Sequence, residues 1–157
     1  MVYMPKYDQV SMTRAFPGFF ETDSVRFLVF PDAGWLRSVG KLISPRASFC
    51  TGFLMSRSVF ITNAHCVTDE SGNLVRGDYK VSFQRILGSE TFGVSTVTLH
   101  SQKWDRQRDT DWALLELDRA NAFPYPFKGY AWDVDLSSLR LATAGYASDL
   151  NDGSWLG

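Results

Sequence analysis

Residues Phe49 to Val67, FCTGFLMSRSVFITNAHCV, decide how the rest of this chain reads. They contain one of its two histidines and both of its cysteines. Phe49, Thr51, Phe53 and Met55 set apolar and small residues alternately along the first half. The second half, Val59-Phe60-Ile61-Thr62, is a β-branched and aromatic run of the kind that fills a buried strand. Ser56-Arg57-Ser58 between them reads as a tight connection. The stretch therefore predicts a β-hairpin that delivers Asn63-Ala64-His65-Cys66 to a strand end. A rigid strand end is where a catalytic side chain is best held.

Strand signals continue on both sides of this hairpin. Ser38 to Ile43 reads as a strand ended by Ser44-Pro45. Beyond the hairpin, Asp69 to Asn73 and Arg76-Gly77-Asp78 are polar turns flanking Leu74-Val75. Tyr79 to Phe83 and Phe92 to Leu99 alternate with the period of half-buried strands, and Asp111 to Leu117 follows a polar loop. About six strands with short turns and no sustained helical period predict an antiparallel sheet closed into a small barrel. Before the barrel only Val25 to Phe30 has a strand pattern. After Asp118 the pattern loosens: Phe123-Pro124-Tyr125-Pro126-Phe127 is a Pro-rich crossing segment that cannot join a ladder. Leu139 to Tyr146 predicts one further strand, and no internal repeat or low-complexity tract occurs.

Composition sets the outer bounds. A chain of 157 residues, 45% hydrophobic and 21% charged, suits one globular domain with a substantial core. A net charge of -1 offers no general attraction to nucleic acid or anionic lipid. Lys103, Arg106 and Arg108 are interleaved with Asp105 and Asp109 and read as a solvated loop. No apolar run approaches the ~18 residues of a membrane-spanning helix, so a membrane is not an expected partner, and the near-neutral charge argues likewise against a nucleic acid. Met1 to Asp8 has neither a basic leader nor an apolar core, so any secretory signal lies outside this sequence. Two cysteines alone say little about oxidation. Cys50 opens one arm of the hairpin and Cys66 closes the other, however, so antiparallel pairing brings them as close as a disulfide requires.

The hairpin closely resembles the segment around the catalytic histidine of the trypsin/chymotrypsin-like serine proteases. Cys50-Thr51-Gly52 matches the cysteine, small residue and glycine that open the strand in that family. Thr62-Asn63-Ala64-His65-Cys66 matches its Thr-Ala-Ala-His-Cys-like sequence. Asp111-Trp112-Ala113-Leu114-Leu115 matches, residue by residue, the Asp-hydrophobic-Ala-Leu-Leu run that carries the family's aspartate. The resemblance covers about residues 37 to 146. It implies an all-β, chymotrypsin-like antiparallel six-stranded barrel with the beginning of a second one. Residues 1–36 are then an unassigned extension, 37–118 the first barrel, and 119–157 the interdomain crossing and the start of the second. The family's matching cysteines are bridged, which implies a Cys50–Cys66 disulfide and a secreted or periplasmic location.

The chemistry rests on His65 and Asp111. A serine hydroxyl attacks a peptide bond efficiently only if a base takes its proton, and imidazole is mostly neutral and available near pH 7. Its other nitrogen must be held, and a carboxylate does this while stabilising the imidazolium that forms. Asp111, beside an apolar run that makes an unpartnered carboxylate costly, is the candidate. Asp109 and Asp118 fit less well. The order His, Asp, then an expected Ser is that of the chymotrypsin-like arrangement. His100, with no motif around it, reads as a surface residue. Zinc coordination by Cys50, Cys66, His65 and His100 is conceivable by residue type, but neither C-x-x-C nor H-x-x-x-H spacing occurs, so no metal and no cofactor is expected. A Cys66–His65 nucleophile pair fits poorly, because neighbours in an extended chain point in opposite directions.

The family's nucleophile stands in a Gly-Asp-Ser-Gly-Gly sequence on its second barrel, and no such sequence occurs here. Asp152-Gly153-Ser154-Trp155 lacks both the Asp-Ser adjacency and the following glycines, so Ser154 is not the expected nucleophile. The expectation is the N-terminal part of a trypsin-like serine endopeptidase acting on protein or peptide substrates. A complementary C-terminal polypeptide supplies the serine, and this chain alone is inactive. The competing expectation is a protease-like binding or adhesion module without catalysis.

Overall fold

The computed structural model describes residues 34–46, 49–85, 87–122 and 145–146. Six strands form the fold: β1 (Val39–Ile43), β2 (Cys50–Leu54), β3 (Val59–Thr62), β4 (Lys80–Arg85), β5 (Gly88–Leu99) and β6 (Ala113–Leu117). They close into a barrel in the order β1-β2-β3-β6-β5-β4, with every neighbouring pair antiparallel. Closure gives each of these strands a neighbour on both sides, which is how a small all-β unit protects its backbone donors and acceptors. The closed, six-stranded antiparallel barrel expected from the sequence is the one observed, and the expected beginning of a second barrel lies outside the described residues. Among the described residues, no helix is long and apolar enough to cross a membrane.

Two paired glycines decide how the barrel fills. Gly40 of β1 faces Gly52 of β2 in the ladder, and both are buried. A methyl group on Gly40 would meet the Phe83 and Phe60 rings at 2.7 and 2.8 Å, and one on Gly52 would lie 2.2 Å from the Ile61 carbonyl oxygen. The missing side chains leave room for three fully buried rings. Phe60 and Phe83 meet edge to face at 6.0 Å, and Phe83 and Phe92 at 5.7 Å. Such T-shaped contacts match the positive edge of one ring to the negative face of the next. Leu42, Leu54, Val81, Ala113 and Leu115 pack with them in a core that also holds Cys66, Val67, Tyr79 and Leu117.

The same glycine corrects the simple reading of β2. Cys50, Gly52 and Leu54 form its inward face, whereas Phe53, 37% exposed, lies on the outer one. Phe60 crosses from β3 and occupies the space that a large residue at 52 would fill. The hairpin turn is as expected: Met55 N–H donates to the Val59 carbonyl at 2.8 Å, and the Ser56 hydroxyl accepts Val59 N–H at 3.1 Å. β5 starts earlier than its alternating pattern suggested. Gly88 to Thr91 pair with the end of β4, and Gly88 takes the turn at φ 123°. A register shift between Val94 and Thr96 lets this long strand serve β4 at one end and β6 at the other.

Tyr146 ties a distant part of the chain to the barrel. Its backbone N–H donates to the Thr51 hydroxyl at 2.8 Å, and its phenol oxygen accepts Gln84 N–H at 3.2 Å. The side chain is buried, and that burial raises its pKa above the usual phenol value. The strand expected over Val25–Phe30, the crossing segment Phe123–Phe127, most of Leu139–Tyr146, and Ser154 lie outside the described residues.

Candidate active site

β3 ends at Thr62, whose hydroxyl donates to the Thr51 carbonyl at 2.8 Å and fixes the strand end to β2. The chain then enters a single 3-10 turn, Ala64–Cys66. Ala64 is fully buried, and its carbonyl accepts both Val67 N–H at 3.0 Å and the Thr68 hydroxyl at 2.9 Å. The Ser44 hydroxyl donates to the Cys66 carbonyl at 2.8 Å. Each neighbour of His65 is thus pinned, and the imidazole between them projects outward.

Asp111 arrives from the opposite side. It stands two residues before β6, whose Ala113 pairs with Thr62, so the ladder that closes the barrel also sets the carboxylate beside the turn. His65 N–H donates to Asp111 Oδ1 at 2.9 Å, and His65 Nδ1 lies 2.8 Å from Asp111 Oδ2. A carboxylate accepts only, so Nδ1 carries the hydrogen, and a neutral ring in that tautomer has its lone pair on Nε2. The carboxylate is 19% exposed and the imidazole 56%. The carboxylate is therefore shielded while the imidazole stays largely accessible.

Cys50 and Cys66 form a disulfide that joins the start of β2 to the end of the His65 turn. One expectation about this corner needs correction. An extended chain would point His65 and Cys66 apart; the 3-10 turn Ala64–Cys66 brings them together. Both sulfurs and a His65 ring nitrogen lie within 4.8 Å of one another. What removes Cys66 as a nucleophile or thiolate ligand is the S–S bond, not its direction. His100 is exposed, as expected, and stacks edge to face on Trp112 at 5.7 Å, away from this group.

The trypsin family model matches residues 33–145. This chain belongs to the trypsin family. Solved structures of similar fold include a Glu endopeptidase in complex with MPD, at 19% identity and TM-score 0.47, over 56% of this chain and 42% of that one. Another is a kallikrein-related peptidase 10 complex with Zn2+, at 20% identity and TM-score 0.43, over 60% and 41%. This trypsin-family chain spans less than half the length of either. No curated protein matches.

Two residues at the site were not singled out from the trypsin-like motifs. Asn63 stands where the family sequence has a small residue. Its amide donates to the Asp111 carbonyl at 3.1 Å and to Asp111 Oδ2 at 3.4 Å, and so does not cap the 3-10 turn it precedes. The Thr-Asn-Ala-His departure was visible in the sequence, but its partner was not. The second is Trp104, whose ring centroid lies 6.3 Å from that of His65. Its loop looked merely solvated, and only an aromatic residue among charged ones hinted at a contact.

Proposed function

We propose that this chain is the N-terminal portion of a trypsin-like serine endopeptidase, with His65 as general base and acid and Asp111 as the carboxylate that orients it. The nucleophilic serine, the oxyanion hole and the pocket that selects the substrate come from a C-terminal polypeptide. Residues 37–118 act as the first barrel, and the segment after Asp118 leads into the second. What carries the reading is the double contact between the two residues, one oxygen of Asp111 on the backbone N–H of His65 and the other on its Nδ1.

The chemistry follows from that contact. Nε2 of His65 takes the proton of the serine hydroxyl as the oxygen attacks the scissile carbonyl carbon. The imidazolium, offset by Asp111, gives the same proton to the leaving amine. Water then repeats the sequence on the acyl-enzyme and frees the serine. A disulfide beside the base suits an oxidising, extracytoplasmic compartment.

Intact mass measurement and labelling with a serine-directed fluorophosphonate, on the protein purified from its source, test this. The reading expects a labelled polypeptide segment carrying Gly-Asp-Ser-Gly, in the same chain or held with it, and no labelling of residues 1–157. A 17.7 kDa species that is neither labelled nor accompanied by such a segment would mark a protease-like binding module instead.

A further inference from the structure

Two loops meet beside the imidazole. One, Asp69 to Asn73, follows the His65 turn; the other, Ser101 to Thr110, joins β5 to Asp111. Trp104 N–H donates to the Gly72 carbonyl at 2.8 Å, and Gly72 N–H donates to the Asp69 carbonyl at 3.0 Å. Gly72 is buried and sits at φ 83°, and a methyl group there would lie 2.0 Å from the Trp104 carbonyl oxygen. Only glycine fits this crossing on both counts. Arg106, itself at φ 66°, donates to the Glu70 carbonyl and holds its guanidinium 5.9 Å from the Trp104 ring centroid. The indole N–H donates to the Gln107 carbonyl at 3.2 Å. The indole is thereby held from its backbone, its edge and one face, with the ring tilted 44° to the imidazole.

The imidazole has need of such a wall. It is more than half exposed, and the contacts to Asp111 act on its backbone and on one nitrogen, so a single hydrogen bond to Asp111 is what restrains the ring on that side. We infer that Trp104 is a positioning residue that confines the His65 ring to the orientation in which Nδ1 faces Asp111, and that Gly72 acts through Trp104 by permitting the two loops to cross. This rests on the proposed role of His65, and it adds to that role a part the catalytic motifs do not contain. A base held within a few tenths of an ångström keeps Nε2 aimed at the proton it must take.

The test reads the ring itself. In the wild-type chain the His65 Nδ1 proton, followed by NMR, is expected to be protected by its bond to Asp111. Trp104→Leu is expected to raise its exchange with solvent about tenfold, through more frequent opening of that bond. Gly72→Ala is expected to do the same without touching His65, and Trp104→Phe, which keeps a ring, to restore the protection. Unchanged barrel amide shifts establish that each variant is folded. In the enzyme assembled with its serine-bearing portion, Trp104→Leu is expected to lower kcat roughly tenfold at nearly constant KM. Unaltered Nδ1–H exchange in folded Trp104→Leu and Gly72→Ala overturns the inference. The exchange measurement needs no serine, so a preparation with the expected exchange pattern but no fluorophosphonate-reactive segment keeps the positioning pair and loses the endopeptidase.

Discussion

At the scale of single residues, the Asp111 carboxylate is held by three donors: the His65 backbone N–H, His65 Nδ1 and the Asn63 amide. They are not equivalent. Asp111→Asn keeps the shape but places an amide where an acceptor must face Nδ1, so the ring flips tautomer or turns away. On the proposed reading, with the serine-bearing portion present, kcat is expected to fall by about 10⁴, as in triads that lose their carboxylate, with the fold intact by circular dichroism. Asn63→Ala removes two longer, solvent-exposed bonds. It is expected to cost about 1 kcal/mol in urea titration and to slow turnover several-fold at most. His65, Asp111 and the cysteine pair were legible because each stands in a short run whose chemistry is local. Asn63 was not, since its value comes from a carboxylate 48 residues away that only the closed barrel brings near.

At the scale of elements, the two loops beside His65 are built around carboxylates. Asp69 accepts N–H groups of Ser71 and Asn73, each at 2.9 Å, and Asp105 accepts the Thr110 hydroxyl and Gln107 N–H. The Asn73 N–H chiefly lowers the pKa of Asp69, and the Thr110 hydroxyl chiefly lowers that of Asp105. A depressed carboxyl pKa adds stability that is present above the unfolded value of about 3.9 and is lost as pH falls through the lower folded value. Acidification below about pH 4 should therefore lower the hydrogen-exchange protection of the Ser71, Asn73 and Gln107 amides, relative to their intrinsic rates, before that of the barrel strands. Asp69→Asn should flatten that pH dependence at Ser71 and Asn73 and leave it at Gln107. The strands themselves were readable from alternation and β-branched content. The direction of β2 was not, because the large Phe53 looks like a core residue until Gly52 is seen to cede the interior to Phe60. Nor was the start of β5, since Gly88-Ser89-Glu90-Thr91 carry no apolar period and are strand only because β4 pairs with them.

At the scale of the whole molecule, the barrel and the disulfide hold the same corner by different means, and separating them tests which one shapes the site. The bridge closes a 16-residue separation that includes the entire hairpin, and in the chain-entropy model such a loop contributes about 3 kcal/mol, mainly by restricting the unfolded chain. The His65 turn also has folded-state ties that do not involve sulfur: Val67 and Thr68 on the Ala64 carbonyl, Ser44 on the Cys66 carbonyl, and Thr62 on β2. Replacing both cysteines by alanine should accordingly lower the free energy of unfolding by about 3 kcal/mol and yet leave the Nδ1–H signal of His65 in place. Gly52→Ala is the counterpart. It removes no bond, but its methyl group must displace the Ile61 carbonyl or the Phe60 ring, and the β2–β3 ladder leads directly into the turn. It is expected to cost about 2–4 kcal/mol, at the upper end of core overpacking, and to broaden the His65 resonance as well. The opposite pattern, with the cysteine variant losing the His65 signal and Gly52→Ala keeping it, would mean that the bridge rather than the packed barrel sets the geometry of the base.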